Sequence, residues 1–432
     1  MRIAVAGTGY VGLVTGVCLS EAGHHVTCYD ISQDKINILN SGRSPIFEPG
    51  LDELLAKNIE ASRLNFTTDA KTAYEGKECI FIAVGTPENP DGTANLDYVK
   101  SVLAKIAENI TSDTILIIKS TVPVGTNEWA ERFINESVDP SIKVELVSNP
   151  EFLREGSAIQ DTFHGDRIVI GSTSKAAGDT VESIYSSFDI PVIRTDTKSA
   201  EMIKYASNVF LATKVSFINE IANLCEKTGA DVEQVAAGMG MDHRIGPHFL
   251  RAGIGYGGSC FPKDTKALIK LAEQVDVPSH IMNAVLTVNQ NQKKKLFEKA
   301  STYFKGNLIG KKAAVLGLSF KPNTDDIRES PALELINELL LEDVNVSVYD
   351  PIAQPKVEKV YGGKLSYNDT IEAALENADM AFIVTDWNEI KSFSSGGYLQ
   401  YMKKAVLFDG RNCFDTKEMQ KTGIQYFSIG RI

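Results

Sequence analysis

Arg2-Ile3-Ala4-Val5-Ala6-Gly7-Thr8-Gly9-Tyr10-Val11-Gly12 opens the chain as a short apolar strand that runs into three glycines at the spacing GxGxxG. A helical pattern follows over residues 13–22, then Gly23, then a second strand over 25–29 that ends on Asp30. Glycines at Gly7, Gly9 and Gly12 allow a tight turn and let a pyrophosphate approach the N-terminus of the following helix. An acid at the end of the second strand accepts hydrogen bonds from the adenosine ribose hydroxyls and repels a 2′-phosphate. Asp30 therefore favours NAD over NADP. GxGxxG alone is a weak signal. Strand before, helix after and an acid at this distance supply the context a dinucleotide site requires.

Further apolar strands follow at 78–84, 114–119 and 144–148, as in a parallel sheet buried on both faces. The first two lead into Gly85-Thr86-Pro87 and Ser120-Thr121-Val122-Pro123, placing hydroxyls where open α/β sheets collect ligands. Such hydroxyls also serve as ordinary helix caps. The third leads into Asn149-Pro150-Glu151-Phe152-Leu153-Arg154-Glu155-Gly156, where two carboxylates flank an arginine. This is a solvated acidic turn or a source of a general base.

Residues 199–228 contain neither Pro nor Gly, and Gly229 stops the run as a C-cap does. Apolar residues recur at helical spacing (Ile203, Ala206, Phe210, Ala212, Phe217, Ile221, Leu224). A helix of roughly 30 residues spans about 45 Å and suits a spine joining two domains. Lys204 and Asn208, four apart, share a face. Beyond it stands Gly253-Ile254-Gly255-Tyr256-Gly257-Gly258-Ser259-Cys260-Phe261-Pro262-Lys263-Asp264, with four glycines in six residues before one cysteine. Glycines let a backbone run close to a ligand. A cysteine after such a loop, with Lys263 nearby to favour its thiolate, suits a nucleophile. If the segment turns helical after Pro262, Asp264 comes near the thiol.

The last third echoes the first. A strand pattern at 311–318, a helix at 331–342 and a strand at 344–349 ending on Asp350 precede further strands at 378–385 and 405–408. GxGxxG is replaced by Ser319-Phe320-Lys321-Pro322-Asn323-Thr324-Asp325-Asp326-Ile327-Arg328-Glu329-Ser330. Lys321 and Arg328 are candidate anion ligands there, or they pair with the neighbouring acids. The expected fold is α/β: two Rossmann-like doubly wound domains joined by a long central helix and a helical region.

A length of 432 residues calls for two or three domains. The formal net charge of −12 argues against nucleic acid and anionic membrane surfaces as partners. No apolar run approaches the roughly 20 residues that span a bilayer, and the N-terminus lacks a signal-peptide pattern. The six cysteines are scattered without a CxxC pair, so they read as reduced thiols in a cytoplasmic protein, with no metal site.

Taken in order, GTGYVG, GTP, STVPVGT, NPEFLREGSA, EMIKYASN, GIGYGGSCFPKD and SFKPNTDDIRES resemble the UDP-glucose/GDP-mannose dehydrogenase family along essentially the whole chain. The SCFPKD form of the cysteine loop is most similar to the branch acting on UDP-glucose. The alternatives are GDP-mannose, a UDP-N-acetylhexosamine, or a sensor without turnover. The resemblance implies oxidation of a nucleotide-sugar C6 hydroxyl to a carboxylate with two NAD+ and no metal. It implies an NAD domain over 1–198, a helical dimerisation region with the cysteine loop over 199–300, and a UDP-sugar domain over 301–432, assembled as a homodimer. It casts Cys260 as nucleophile, Lys204 and Asn208 at the C6 oxygen, and Asp264 and Thr121 around a water. The general base stays open among Glu151, Asp264 and Lys204, with Glu151 favoured for thioester cleavage. NAD contacts are implied for Tyr10, Val11, Asp30, Lys35, Thr86, Thr121, Glu155, Lys263 and Arg328, beside the three glycines. Substrate contacts are implied for Glu151, Phe152, Leu153, Arg154, Glu155, Lys204, Asn208, Phe249, Leu250, Arg251, Ala252, Gly253, Gly257 and Lys321. Arg244 is implied as a residue reaching the partner subunit's sugar site.

Overall fold

Two mainly parallel sheets organise the computed structural model, which describes residues 1–431. The strands are Arg2–Ala6 (β1), His25–Tyr29 (β2), Leu64–Thr67 (β3), Cys79–Ile82 (β4), Thr114–Ile118 (β5), Val144–Ser148 (β6), Ile168–Gly171 (β7) and Val192–Thr195 (β8) in the first sheet. Lys312–Leu316 (β9), Asn345–Tyr349 (β10), Ser366–Tyr367 (β11), Met380–Ile383 (β12), Val406–Asp409 (β13) and Gln425–Phe427 (β14) form the second. Their orders are β3-β2-β1-β4-β5-β6-β7-β8 and β11-β10-β9-β12-β13-β14. Neighbours pair in parallel except β6 and β7, which meet antiparallel at Ser148 and Gly171. Each sheet thus reverses direction beside its first strand, the doubly wound arrangement whose ligands bind at the carboxyl ends of the strands flanking that switch.

The apolar runs follow from burial on both faces. In β1, Ile3 and Val5 feed one core layer while Ala4 and Ala6 feed the other. Cys79 and Phe81 against Ile80 and Ile82 repeat the division in β4. The second sheet does likewise, with Ala313 and Val315 on one side and Ala314 and Leu316 on the other. Strands missing from the sequence reading lie outside these centres. β3, β11, β8 and β14 are sheet edges, and β7 adjoins β8. β8 is only partly covered and carries the alternating signal poorly.

The chain forms two compact units, Met1–Ser207 with Lys266–Leu271, and Asn208–Thr265 with the chain from Ala272 onward. The helix Thr197–Thr228 begins in the first and ends in the second, and stops at Gly229, whose φ of +84° is the left-handed C-cap expected from the sequence. Its buried face is mixed: Glu201, Lys204, Asn208, Ser216 and Asn219 are buried alongside Ala200, Tyr205, Val209, Ala212, Ile218, Ala222 and Cys225. Phe210, Phe217 and Leu224 are 65%, 47% and 56% exposed, so the apolar recurrence in the sequence does not mark the face turned inward. Among the described residues, no helix is long and apolar enough to cross a membrane.

Candidate active site

At the switch of the first sheet, Gly7 and Gly12 are fixed by the protein itself. A Cβ on Gly7 would stand 2.7 Å from the Ala83 carbonyl oxygen, and one on Gly12 would stand 2.1 Å from the Gly7 carbonyl oxygen. Gly9 differs, because nothing lies within 4 Å of where its Cβ would be. It is the N-cap of the helix Tyr10–Glu21 and makes no side-chain cap to the first-turn N–H groups. That cradle fits the pyrophosphate of a dinucleotide. Asp30 ends β2 as expected. It accepts from Thr8 N at 2.9 Å, Thr8 Oγ1 at 2.7 Å and Ser32 N at 3.0 Å, with Lys35 at 3.7 Å. Burial works against its charge, but these donors and Lys35 outweigh it and hold the carboxyl below the usual range. Thr86 donates from its hydroxyl to the Thr121 carbonyl at 2.8 Å, tying together the loops that follow β4 and β5. Val11 is half-buried in the first helical turn. Tyr10 donates to Glu48, a buried carboxylate the sequence did not single out. Glu48 also accepts from Gly156 N and Ala158 N, each at 2.7 Å, beyond the Glu151–Glu155 segment.

That segment follows β6. Glu151 pairs with Lys204 at 2.9 Å, their side chains 6% and 4% exposed. Its other oxygen accepts from Leu153 N at 2.5 Å. The lysine is thus deeply buried at the start of its helix, and the acidic turn is not simply solvated. Phe152 lies under the Arg167 guanidinium, 3.8 Å from ring centroid to Cζ, with Lys204 Nζ 5.3 Å from the same ring. Arg154 is exposed and pairs with Asp161 at 2.5 Å, not with either glutamate that flanks it in sequence. Two further buried groups escaped the sequence reading. Lys119 donates to Asn149 Oδ1 at 3.2 Å, within what looked like a strand end. Glu201, one turn before Lys204, accepts from Gly125 N at 2.6 Å and from Asn127 N and Nδ2 at 2.8 and 2.7 Å, fixing the STVPVGT loop to the helix. Burial raises the pKa of Glu201.

In the second unit, Cys260 is the N-cap of the helix Phe261–Gln274, with Pro262 in the first turn. Its sulfur lies 3.5 Å from Ser259 Oγ. Cys18, Cys28, Cys79 and Cys225 are buried, whereas Cys260 and Cys413 are partly accessible. Burial pushes the Cys18, Cys28 and Cys79 thiols up to about 12, which makes them inert. The helix turns as expected, with Asp264 N donating to the Cys260 carbonyl at 2.8 Å. Asp264 is buried and accepts from Asn208 Nδ2 at 2.6 Å and Lys263 Nζ at 2.7 Å. Lys263 therefore serves the carboxylate, and Asp264 fixes the Asn208 amide.

The glycine loop is close-packed against protein. A Cβ on Gly257 would meet the Glu329 carbonyl oxygen at 2.3 Å, and one on Gly258 would meet the Phe320 ring at 2.8 Å. Side chains clamp its backbone: Asn219 Oδ1 accepts from Gly253 N at 2.8 Å, Gln292 donates to Gly253 O at 2.6 Å, and Asn289 holds both polar groups of Tyr256. The glycines thus set the path of the loop through packing. Leu250 and Ala252 are buried, Phe249 sits at φ +64°, and Arg251 pairs with Asp386 at 3.1 Å. Arg328 forms a fork with Asp326, 2.6 Å at its shortest, and Lys356 takes Asp325. Lys321 Nζ lies 5.4 Å from the Phe320 ring centroid. Arg244 is exposed and paired with Asp242 at 2.6 Å. Asp350 does not resemble an open ribose acceptor, because it takes Leu318 N, Ser319 N, Trp387 Nε1, Ile352 N and Ala353 N. Among the described residues, no group of three or more His, Cys, Asp or Glu side chains is placed to hold a metal ion.

The chain matches three models of the UDP-glucose/GDP-mannose dehydrogenase family: its NAD binding domain over residues 1–189, its central domain over 198–291 and its UDP binding domain over 314–416. A UDP-glucose 6-dehydrogenase of Bacillus subtilis (strain 168) is 52% identical over 431 residues, covering 100% of this chain and 98% of its own length. One of Rhizobium meliloti (strain 1021) is 47% identical over 437 residues and covers 100% of both. Among solved structures, a UDP-glucose dehydrogenase from the hyperthermophilic archaeon Pyrobaculum islandicum superposes with a TM-score of 0.93 at 38% identity, covering 100% of this chain and 98% of the other.

Proposed function

The chain belongs to the UDP-glucose/GDP-mannose dehydrogenase family, and from that premise we propose that it oxidises UDP-glucose at C6 to UDP-glucuronate. The balanced reaction consumes one UDP-glucose, two NAD+ and one water, and yields UDP-glucuronate, two NADH and three protons. The observation that carries the reading is Cys260 at a helix N-terminus, partly accessible, on a chain that also carries a dinucleotide cradle. A metal-free alcohol oxidation that stops at the aldehyde needs no thiol nucleophile.

NAD+ supplies a hydride acceptor twice per sugar, held by the Gly9 cradle and Asp30. The Lys204 ammonium stabilises negative charge on the C6 oxygen as its proton passes to a water held by Thr121 and Asp264, and Asn208, oriented by Asp264, donates to the same oxygen. The Cys260 thiolate adds to the aldehyde carbon, which keeps the aldehyde from escaping. Loss of a second hydride converts this thiohemiacetal to a thioester. Water then attacks the thioester, the thiolate leaves, and Glu151 takes the water's proton. Thr121 and Asp264 orient water, and Lys35, Thr86, Glu155, Lys263 and Arg328 complete NAD binding. Lys321 and the 249–253 segment hold the nucleotide sugar.

A homodimer belongs to the same reading. Phe210, Phe217 and Leu224 recur every seven residues on one helix and are exposed, so a second copy would cover an apolar stripe. Arg244, exposed near that helix in sequence, would then serve the partner's sugar site. The reading is tested by supplying NAD+ with UDP-glucose, GDP-mannose and UDP-N-acetylglucosamine in turn. Turnover with UDP-glucose at least about tenfold faster is expected, on the order of one well-made contact. Preference for either rival sugar overturns it.

A further inference from the structure

Lys119 has no part in the chemistry above, yet it is a costly residue to keep. It follows β5 directly and is buried. Its ammonium donates to Asn149 Oδ1 at 3.2 Å and stands 5.8 Å from the centroid of the Tyr185 ring. The Tyr185 hydroxyl donates to that same Asn149 oxygen at 2.5 Å, and Asn149 Nδ2 donates to Val169 O at 2.8 Å. Asn149 is thereby locked, and Glu151 lies two residues further along the same segment. No carboxylate among the described residues forms an ion pair with Lys119. The charges that act on it are Glu151 and Lys204, already joined to each other at 2.9 Å. Two ammonium groups therefore share one carboxylate in a buried region.

We propose that Lys119 is a positioning residue for the oxidation: its buried charge, only partly offset by Glu151, favours an anionic C6 oxygen at Lys204, while its bond to Asn149 sets the Glu151 segment. This rests on the reaction proposed above. In low dielectric a second positive charge strengthens the pull on a developing oxyanion more than it would in water.

The energetics separate this role from a structural one. Burial pushes the Lys119 pKa down from 10.5 to about 8, with Glu151 partly offsetting and Lys204 adding to the shift. A lysine whose folded pKa lies below its unfolded value binds its proton more weakly in the folded protein. It therefore weakens the fold at neutral pH, and that penalty fades as pH rises from about 8 through 10.5. The other titratable groups near it stay neutral: burial pushes the Tyr185 phenol far up and the Cys79 thiol, on neighbouring β4, up to about 12.

The test compares Lys119→Met and Lys119→Arg with the wild-type enzyme, using thermal unfolding and steady-state turnover of UDP-glucose from pH 6.5 to 9.5. Lys119→Met is expected to melt at or above the wild-type temperature at pH 7 and to lose about tenfold or more in kcat, with KM for UDP-glucose changed less than about threefold. Its deficit should shrink above pH 8, where wild-type Lys119 loses its own proton. Lys119→Arg should recover most of kcat. If Lys119→Met folds poorly, Lys119→Gln is held to the same pattern. Wild-type kcat in the neutral variants, or a deficit constant across pH, overturns the proposal. If the wild-type enzyme does not oxidise UDP-glucose, it is the proposed reaction that fails.

Discussion

Replacing Glu151 by glutamine should cost the fold far more than one hydrogen bond. The carboxylate and Lys204 lie 2.9 Å apart with 6% and 4% of their side chains exposed. Glutamine keeps the shape and leaves an amide oxygen for the ammonium, but it removes the negative charge from a region that also holds Lys119. Breaking a buried pair from one side costs roughly 3–5 kcal/mol, because the remaining charge stays desolvated. The retained amide contact returns about 1 kcal/mol. A loss of about 2–4 kcal/mol follows, measured by urea unfolding at pH 7 from the far-ultraviolet circular dichroism. The double variant Glu151→Gln/Lys204→Met removes the stranded charge with its partner, so it should be more stable than Glu151→Gln alone. A Glu151→Gln protein within about 0.5 kcal/mol of wild type, or a double variant that is simply additive, would refute the buried ion pair as the organising contact here.

The glycine geometry separates fold from binding. Gly9→Ala should unfold like wild type and lose NAD affinity by about tenfold or more, as a methyl enters the space meant for the pyrophosphate. Gly12→Ala should fold poorly, since its Cβ falls 2.1 Å from a backbone oxygen, and equal behaviour of the two in thermal unfolding would contradict this. Cys260→Ser should bind both UDP-glucose and NAD+ in calorimetric titrations yet release no UDP-glucuronate; normal acid formation would remove the nucleophile. Asp30→Ala should weaken NAD binding by about 1.5–3 kcal/mol, the loss of hydrogen bonds to a charged group, and narrow the preference over NADP. Unchanged affinity in direct titration sinks the ribose assignment.

How much was legible depended on whether a residue's neighbours lie close in sequence. Gly7, Gly9, Gly12 and Asp30 belong to one strand-turn-helix-strand unit, so their spacing carried their arrangement. Lys204 and Asn208 share a helical face, and both are buried. The pairings that fix them are long-range. Glu151 meets Lys204 across 53 residues and Asp264 meets Asn208 across 56, and neither partner is marked by local pattern. Lys119 read as the polar end of a strand because nothing local says it is covered. For the same reason nothing local singles out Glu48 or Glu201, although both hold backbone N–H groups of the dinucleotide domain. The long helix misled in the opposite sense: its large apolar residues Phe210, Phe217 and Leu224 face outward while its buried face mixes small apolar residues with Glu201, Lys204 and Asn208. In the cysteine loop, spacing revealed the glycines but not what they pack against, since Glu329 lies 72 residues beyond Gly257 and Phe320 lies 62 beyond Gly258.

In the proposed reaction one chain carries a primary alcohol through two oxidations to the acid without releasing the aldehyde. The most direct test counts NADH formed per UDP-glucose consumed, with purified protein and excess NAD+. Two per sugar, with UDP-glucuronate as product, is the result expected from a Cys260 trap. One per sugar, with a free aldehyde, would contradict the account and leave Cys260 without a function.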